Sequence, residues 1–96
     1  MEIADRIRRK LTETFAPQQL VIVDASHRHA GHVGAAAAGE THFEVTIISD
    51  VFDGRTRVDR QRLVYAALAQ ELAERVHALA LTTLTVDEAI KRGNSD

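Results

Sequence analysis

The sequence predicts an α+β fold, a small three-stranded mixed sheet with helices on one face. Three observations predict it. An apolar period of four residues opens the chain, two strand-like runs follow on either side of a polar stretch, and a long helical period then gives way to a third alternating run. The resulting order is helix, strand, strand, short helix, long helix, strand, short helix. Each helix carries an apolar stripe that has to be buried, and one sheet face can receive these stripes together.

Ile3, Ile7, Leu11 and Phe15 recur at every fourth position with charged residues between them, which is an amphipathic helix ended by Pro17. Leu20 to Val23 is a short β-branched apolar run that suits a buried strand, with Asp24-Ala25-Ser26 as its polar exit. His27 to Gly39 holds three His, three Gly and the run Ala35 to Ala38, with no amphipathic period, and reads as a long mobile loop. Phe43, Val45 and Ile47 then alternate with His42, Glu44 and Thr46, the period of a strand with one covered face. The two strands are expected to form a hairpin around the loop.

Ser49 to Val58, with Phe52 and Asp53-Gly54, reads as a short helical turn and a connection. Asp59 is the expected cap of a long helix from Arg60 to Val76, with Val64, Leu68, Leu72 and Val76 on its buried stripe. Leu79 and Leu81 alternate with Ala78, Ala80 and Thr82 in a third strand ending near Leu84. Thr85 and Glu88 have capping-box spacing for a last helix through Ile90, and Gly93 to Asp96 reads as a polar tail.

A chain of 96 residues suits one domain, with its core at about residues 3–85. Its 45% hydrophobic content and mixed charges are those of a folded protein. Twelve Lys and Arg against 14 Asp and Glu give a net charge of −2, so any affinity for nucleic acid has to come from a local patch. Arg55, Arg57, Arg60 and Arg62 are such a patch; its bland reading is a solvated helix start balanced by Asp53 and Asp59. With no cysteine, a disulfide framework and a thiolate metal site are both excluded, and a reducing, cytoplasmic setting is expected. No stretch approaches the roughly 20 apolar residues of a membrane span.

Histidine is the abundant site-type residue. His27, His29 and His32 lie in the loop, His42 on the second strand and His77 between the long helix and the third strand. Imidazole ligates iron, zinc and copper, and a loop can adapt to metal geometry. Two readings of the loop histidines stand side by side, solvated polar residues or half of a metal site. His42, on the polar face, reads as a surface strand residue, and His77 reads as a helix-end residue or a ligand. No nucleophile sits in a triad or elbow pattern, so an enzymatic role is not expected.

Several segments taken together resemble the BolA family. They are Val23-Asp24-Ala25-Ser26 with His29-Ala30, Glu40-Thr41-His42-Phe43, Ser49 with Phe52 and Gly54, Arg60-Gln61-Arg62-Leu63-Val64-Tyr65, and Glu71-Leu72 with His77-Ala78-Leu79. The resemblance implies an αββααβ fold similar to the class II KH arrangement. It also implies partnership, as a heterodimer, with a monothiol glutaredoxin and a shared [2Fe-2S] cluster to which glutathione and the partner bring sulfur. His77 matches the family's ligand, and His29 matches its loop ligand, with His32 and His27 as alternates. DNA-binding regulation through the KH-like fold and the arginine patch is the competing implication. Gln61 stands where the family commonly has His, and the loop from Ala30 to Gly39 is longer than in many relatives. The KH signature GxxG is missing from the Asp53–Val58 connection.

Overall fold

The computed structural model describes residues 2–25 and 42–94. Helix α1 (Glu2–Phe15) buries Ile3, Ile7, Leu11 and Phe15 as the period requires. Ala16 ends it in a left-handed conformation at φ 42, its N–H donating to the Thr12 carbonyl at 3.0 Å, and Pro17 then prevents continuation.

Strand β1 (Gln19–Asp24) pairs antiparallel with β2 (His42–Ile48), and β3 (Ala78–Leu84) pairs parallel with β2, giving the sheet order β1-β2-β3. The register places Leu20 and Ile22 opposite Ile47 and Val45, and Leu79, Leu81 and Thr83 opposite Phe43, Val45 and Ile47. One sheet face is therefore continuously apolar. On β2 the alternation is strict, with Phe43, Val45 and Ile47 buried and the residues between them half-buried. The α1 stripe, Phe52, Val64, Leu68 and Val76 complete this core.

A 3₁₀ turn (Asp50–Phe52) follows β2. Buried Ser49 holds it, donating from Oγ to the Phe15 carbonyl at 2.7 Å and accepting from the Val51 N–H at 3.2 Å. Phe52 is fully buried, 5.3 Å from the Phe15 ring centroid. Gly54 carries the next turn at φ 75, a conformation that disfavours a Cβ.

Helix α2 (Arg57–Ala67) starts three residues before the expected Arg60. Its cap is Thr56 and not Asp59. The Thr56 hydroxyl accepts the Asp59 N–H at 3.1 Å, which leaves Asp59 in the first turn, where a carboxylate favours the helix dipole. The expected single helix to Val76 is also two helices, because Leu68 leaves helical geometry at φ −106, ψ 17 and α3 (Ala69–Glu74) begins after it. Leu68 keeps its side chain in the core at the break, so packing outweighs the helix propensity of the neighbouring alanines. The stripe survives the break, with Val64, Leu68 and Val76 buried and Leu72 packed against them.

The capping box of α4 (Val86–Asn94) forms as expected: the Glu88 N–H donates to Thr85 Oγ1 at 3.1 Å and the Thr85 N–H to Glu88 Oε1 at 2.8 Å. The helix passes Ile90 and continues to Asn94, so Gly93 and Asn94 are helical and not tail. No helix among the described residues is long and apolar enough to cross a membrane.

A buried ion cluster joins α1 to α3. Glu71 has a fully buried side chain, and its Oε2 lies 2.7 Å from Arg6 Nη2 and 2.8 Å from Lys10 Nζ. Burial alone raises a carboxyl pKa. Here the Lys10 hydrogen bond, the Glu71 backbone N–H and the two cations overcome it and hold the pKa below the ordinary range.

Candidate functional site

His77 is placed by the end of α3. The Glu71 carbonyl accepts the N–H groups of both Arg75 and Val76 at 2.9 Å, and buried Val76 anchors the chain before it enters β3. His77 is exposed at this point, two residues beyond Arg75, the C-cap of α3. Its neighbour Ala78 pairs with His42, the first residue of β2, so the two imidazoles lie side by side with centroids 6.5 Å apart and planes tilted by 55°.

The same end of the sheet holds the stem of the segment between β1 and β2. The Ala25 N–H donates to the His42 carbonyl at 2.7 Å, so residues 26–41 leave and rejoin the sheet beside His77. His27, His29 and His32 belong to that segment and lie outside the described residues. The pairing of His77 with His42 was not readable in the sequence, where His42 looked like a surface strand residue. Only the parallel register of β2 and β3, set across the two intervening helices, brings them together.

What the site can do follows from its donors. Among the described residues no three His, Cys, Asp or Glu side chains gather into a metal cage. The sheet end presents two imidazoles, and the chain has no cysteine. Such a donor set fits a centre whose sulfur ligands come from another molecule.

The arginine patch divides. Arg55, Arg57 and Arg62 are exposed, Arg55 donating from Nε to the Val51 carbonyl at 3.2 Å. Arg60 is corrected out of it, being 6% exposed and fully engaged. Its Nη1 donates to Glu88 Oε1 at 2.6 Å and to the Thr83 carbonyl at 3.2 Å, and its Nε donates to the Arg55 carbonyl at 3.0 Å. Its guanidinium also lies 5.8 Å from the Phe52 ring centroid. It ties α2 to α4. The Arg60 hydrogen bond, with the Thr85 N–H, pushes the Glu88 carboxyl down to about 2. Spacing alone could not separate this arginine from its neighbours, because four arginines fall within residues 55–62 and nothing in their order marks which one turns inward.

A family model for BolA-like proteins matches residues 11–88. The chain belongs to the BolA-like family. It is 44% identical over 88 residues to the DNA-binding transcriptional regulator BolA of Escherichia coli K12, covering 92% of this chain and 80% of that one. It is 41% identical over 87 residues to the chloroplastic/mitochondrial SufE-like protein 1 of Arabidopsis thaliana, covering 86% of this chain but only 24% of that longer protein. The solved structure of BolA1 from Arabidopsis thaliana superposes with a TM-score of 0.80 at 45% identity, covering 88% of this chain and 93% of that one. The three-stranded mixed sheet with its helices is thus the BolA fold, as the resemblance implied. Among these relatives the bacterial protein is named a transcriptional regulator, and a human relative, 44% identical over 79 residues, is named BolA-like protein 1.

Proposed function

We propose that this BolA-like chain is a non-enzymatic adaptor that docks on a glutathione-loaded monothiol glutaredoxin and shares its [2Fe-2S] cluster. His77 supplies one imidazole. The second comes from the 26–41 segment, with His29 first and His32 and His27 as alternates. The observation that carries this reading is the exposed His77 beside the Ala25–His42 stem of that segment. A ligand anchored to the sheet and another from a chain segment rooted next to it can meet on one iron. Two imidazoles on that iron would raise its potential above that of an all-thiolate cluster. In this arrangement buried Val76 and the Glu71 carbonyl anchor the backbone from which His77 projects.

The test is to mix the chain with a cluster-loaded glutaredoxin and record visible absorption and circular dichroism. The spectrum should change on complex formation. His77→Ala should keep the far-ultraviolet spectrum of the fold while losing the visible change. No complex and no spectral change with the unaltered chain would overturn the reading.

A second reading has support of its own. The Escherichia coli relative is named a DNA-binding regulator, and Arg55, Arg57 and Arg62 stand exposed at the start of α2. Three phosphate contacts predict a log–log salt slope of about −2.7 for duplex DNA. Binding that is insensitive to salt, or to replacement of these three residues, argues against it.

A further inference from the structure

Strand β3 is an edge of the sheet. The Ser49 N–H donates to the Leu84 carbonyl at 2.9 Å, so Leu84 directs its backbone groups toward β2. In a parallel ladder alternate residues face the same side, so Ala78, Ala80 and Thr82 also turn toward β2. Leu79, Leu81 and Thr83 turn outward. Arg60 agrees with this alternation, since its Nη1 reaches the outward Thr83 carbonyl and closes the C-terminal end of the edge. The outward groups of Leu79 and Leu81 have no hydrogen-bond partner among the described residues.

A cavity of about 450 Å³ lies against this edge, lined by Leu81 to Leu84, by Arg57 and Gln61 of α2 and by Arg92 of α4. A second, of about 240 Å³, shares Arg57, Thr83, Leu84 and Arg92 and adds Lys91. The carboxylate on this lining, Glu88, is engaged by Arg60. The groove therefore presents positive charge from Arg57 and Lys91, although the whole chain carries a net charge of −2.

We infer that the outer edge of β3 receives an extended acidic peptide segment of a partner protein as a fourth strand. Leu79 and Leu81 supply backbone hydrogen bonds, and Arg57 and Lys91 supply the charge. Two features of the edge select a peptide. Its outward N–H and C=O groups recur at every second residue, which is the period of a strand. Its carbonyls also present acceptors at the same spacing as its N–H groups present donors, and a peptide backbone carries the matching donor and acceptor in every residue. The inference makes no use of His77 and stands or falls independently of cluster sharing.

The test uses the full ¹⁵N-labelled chain and three probes of equal length: a peptide alternating Glu and Val, one alternating Lys and Val, and single-stranded DNA. The acidic peptide should shift the amides of Leu79, Leu81 and Thr83 and slow their hydrogen exchange. The charge reversals Arg57→Glu and Lys91→Glu, both at exposed positions, should each weaken it about tenfold at low salt, with the gap narrowing as salt rises. Equal binding of the basic peptide, shifts mapping away from β3, absence of binding, or occupation of this edge by DNA alone would each overturn the inference.

Discussion

Replacing Glu71 by Ala removes the buried anion from the α1–α3 cluster and leaves Arg6 with only the exposed Glu74 at 3.4 Å and Lys10 with only the Gln70 amide oxygen at 3.4 Å. Removing one member of a buried pair costs about 3–5 kcal/mol, because the remaining charge loses its partner without regaining water. Arg6 and Lys10 retain 20% and 27% side-chain exposure, so they can partly rehydrate. That places the expected loss near the lower bound, at about 3 kcal/mol. A domain of this size has a total stability of roughly 5–14 kcal/mol, so the loss lowers Tm by about 12 °C or more. Urea unfolding followed by circular dichroism measures it, with the slope unchanged.

The pH dependence supplies an internal control. The folded pKa of Glu71 lies below its unfolded value. Its contribution is therefore complete above the unfolded value of about 4.3 and is lost as pH falls through the lower folded value. The gap between the unaltered chain and Glu71→Ala should then narrow on acidification below about pH 4. A loss under about 1 kcal/mol at neutral pH, the level of an exposed surface pair, would refute this account of the cluster.

Three other outcomes follow from the same coordinates. Arg60→Ala should cost about 3 kcal/mol in urea unfolding, since it strands the buried Thr83 carbonyl and frees Glu88. Glu88 is held at about 2, so the stability it adds is present above about pH 4.3 and fades toward pH 2; Glu88→Gln should flatten that limb of the acid-unfolding curve. Gly54→Ala should cost about 1 kcal/mol through φ 75 alone, because no atom lies within 4 Å of the added Cβ; a loss above about 3 kcal/mol would point to a clash instead.

Much of the architecture was legible in the residues. The stripe Ile3-Ile7-Leu11-Phe15, the alternation Phe43-Val45-Ile47 and the Thr85–Glu88 box each depend on neighbours a few positions apart, and local geometry fixes which way such side chains point. The break at Leu68 and the start of α2 were not legible. Thr56 and Asp59 are both capping residues at suitable places, and the choice between them rests on how the turn after Gly54 delivers the chain. The break likewise answers to the core that Leu68 fills and to the cations that meet Glu71.

By itself, then, the sequence determined the order of the elements apart from the division of the long helix at Leu68, the apolar faces, the family resemblance and the candidacy of His77 and the loop histidines. Tertiary structure alone decided that His42 stands against His77, that Arg60 is a buried tie and not a surface cation, and that Glu71 is an internal anion. It also decided that β3 ends the sheet with its outward backbone groups beside a positive groove. The physical reason is common to all four. Periodicity records which side of its own element a residue faces, whereas these pairings join residues far apart in the chain through strand register and helix packing.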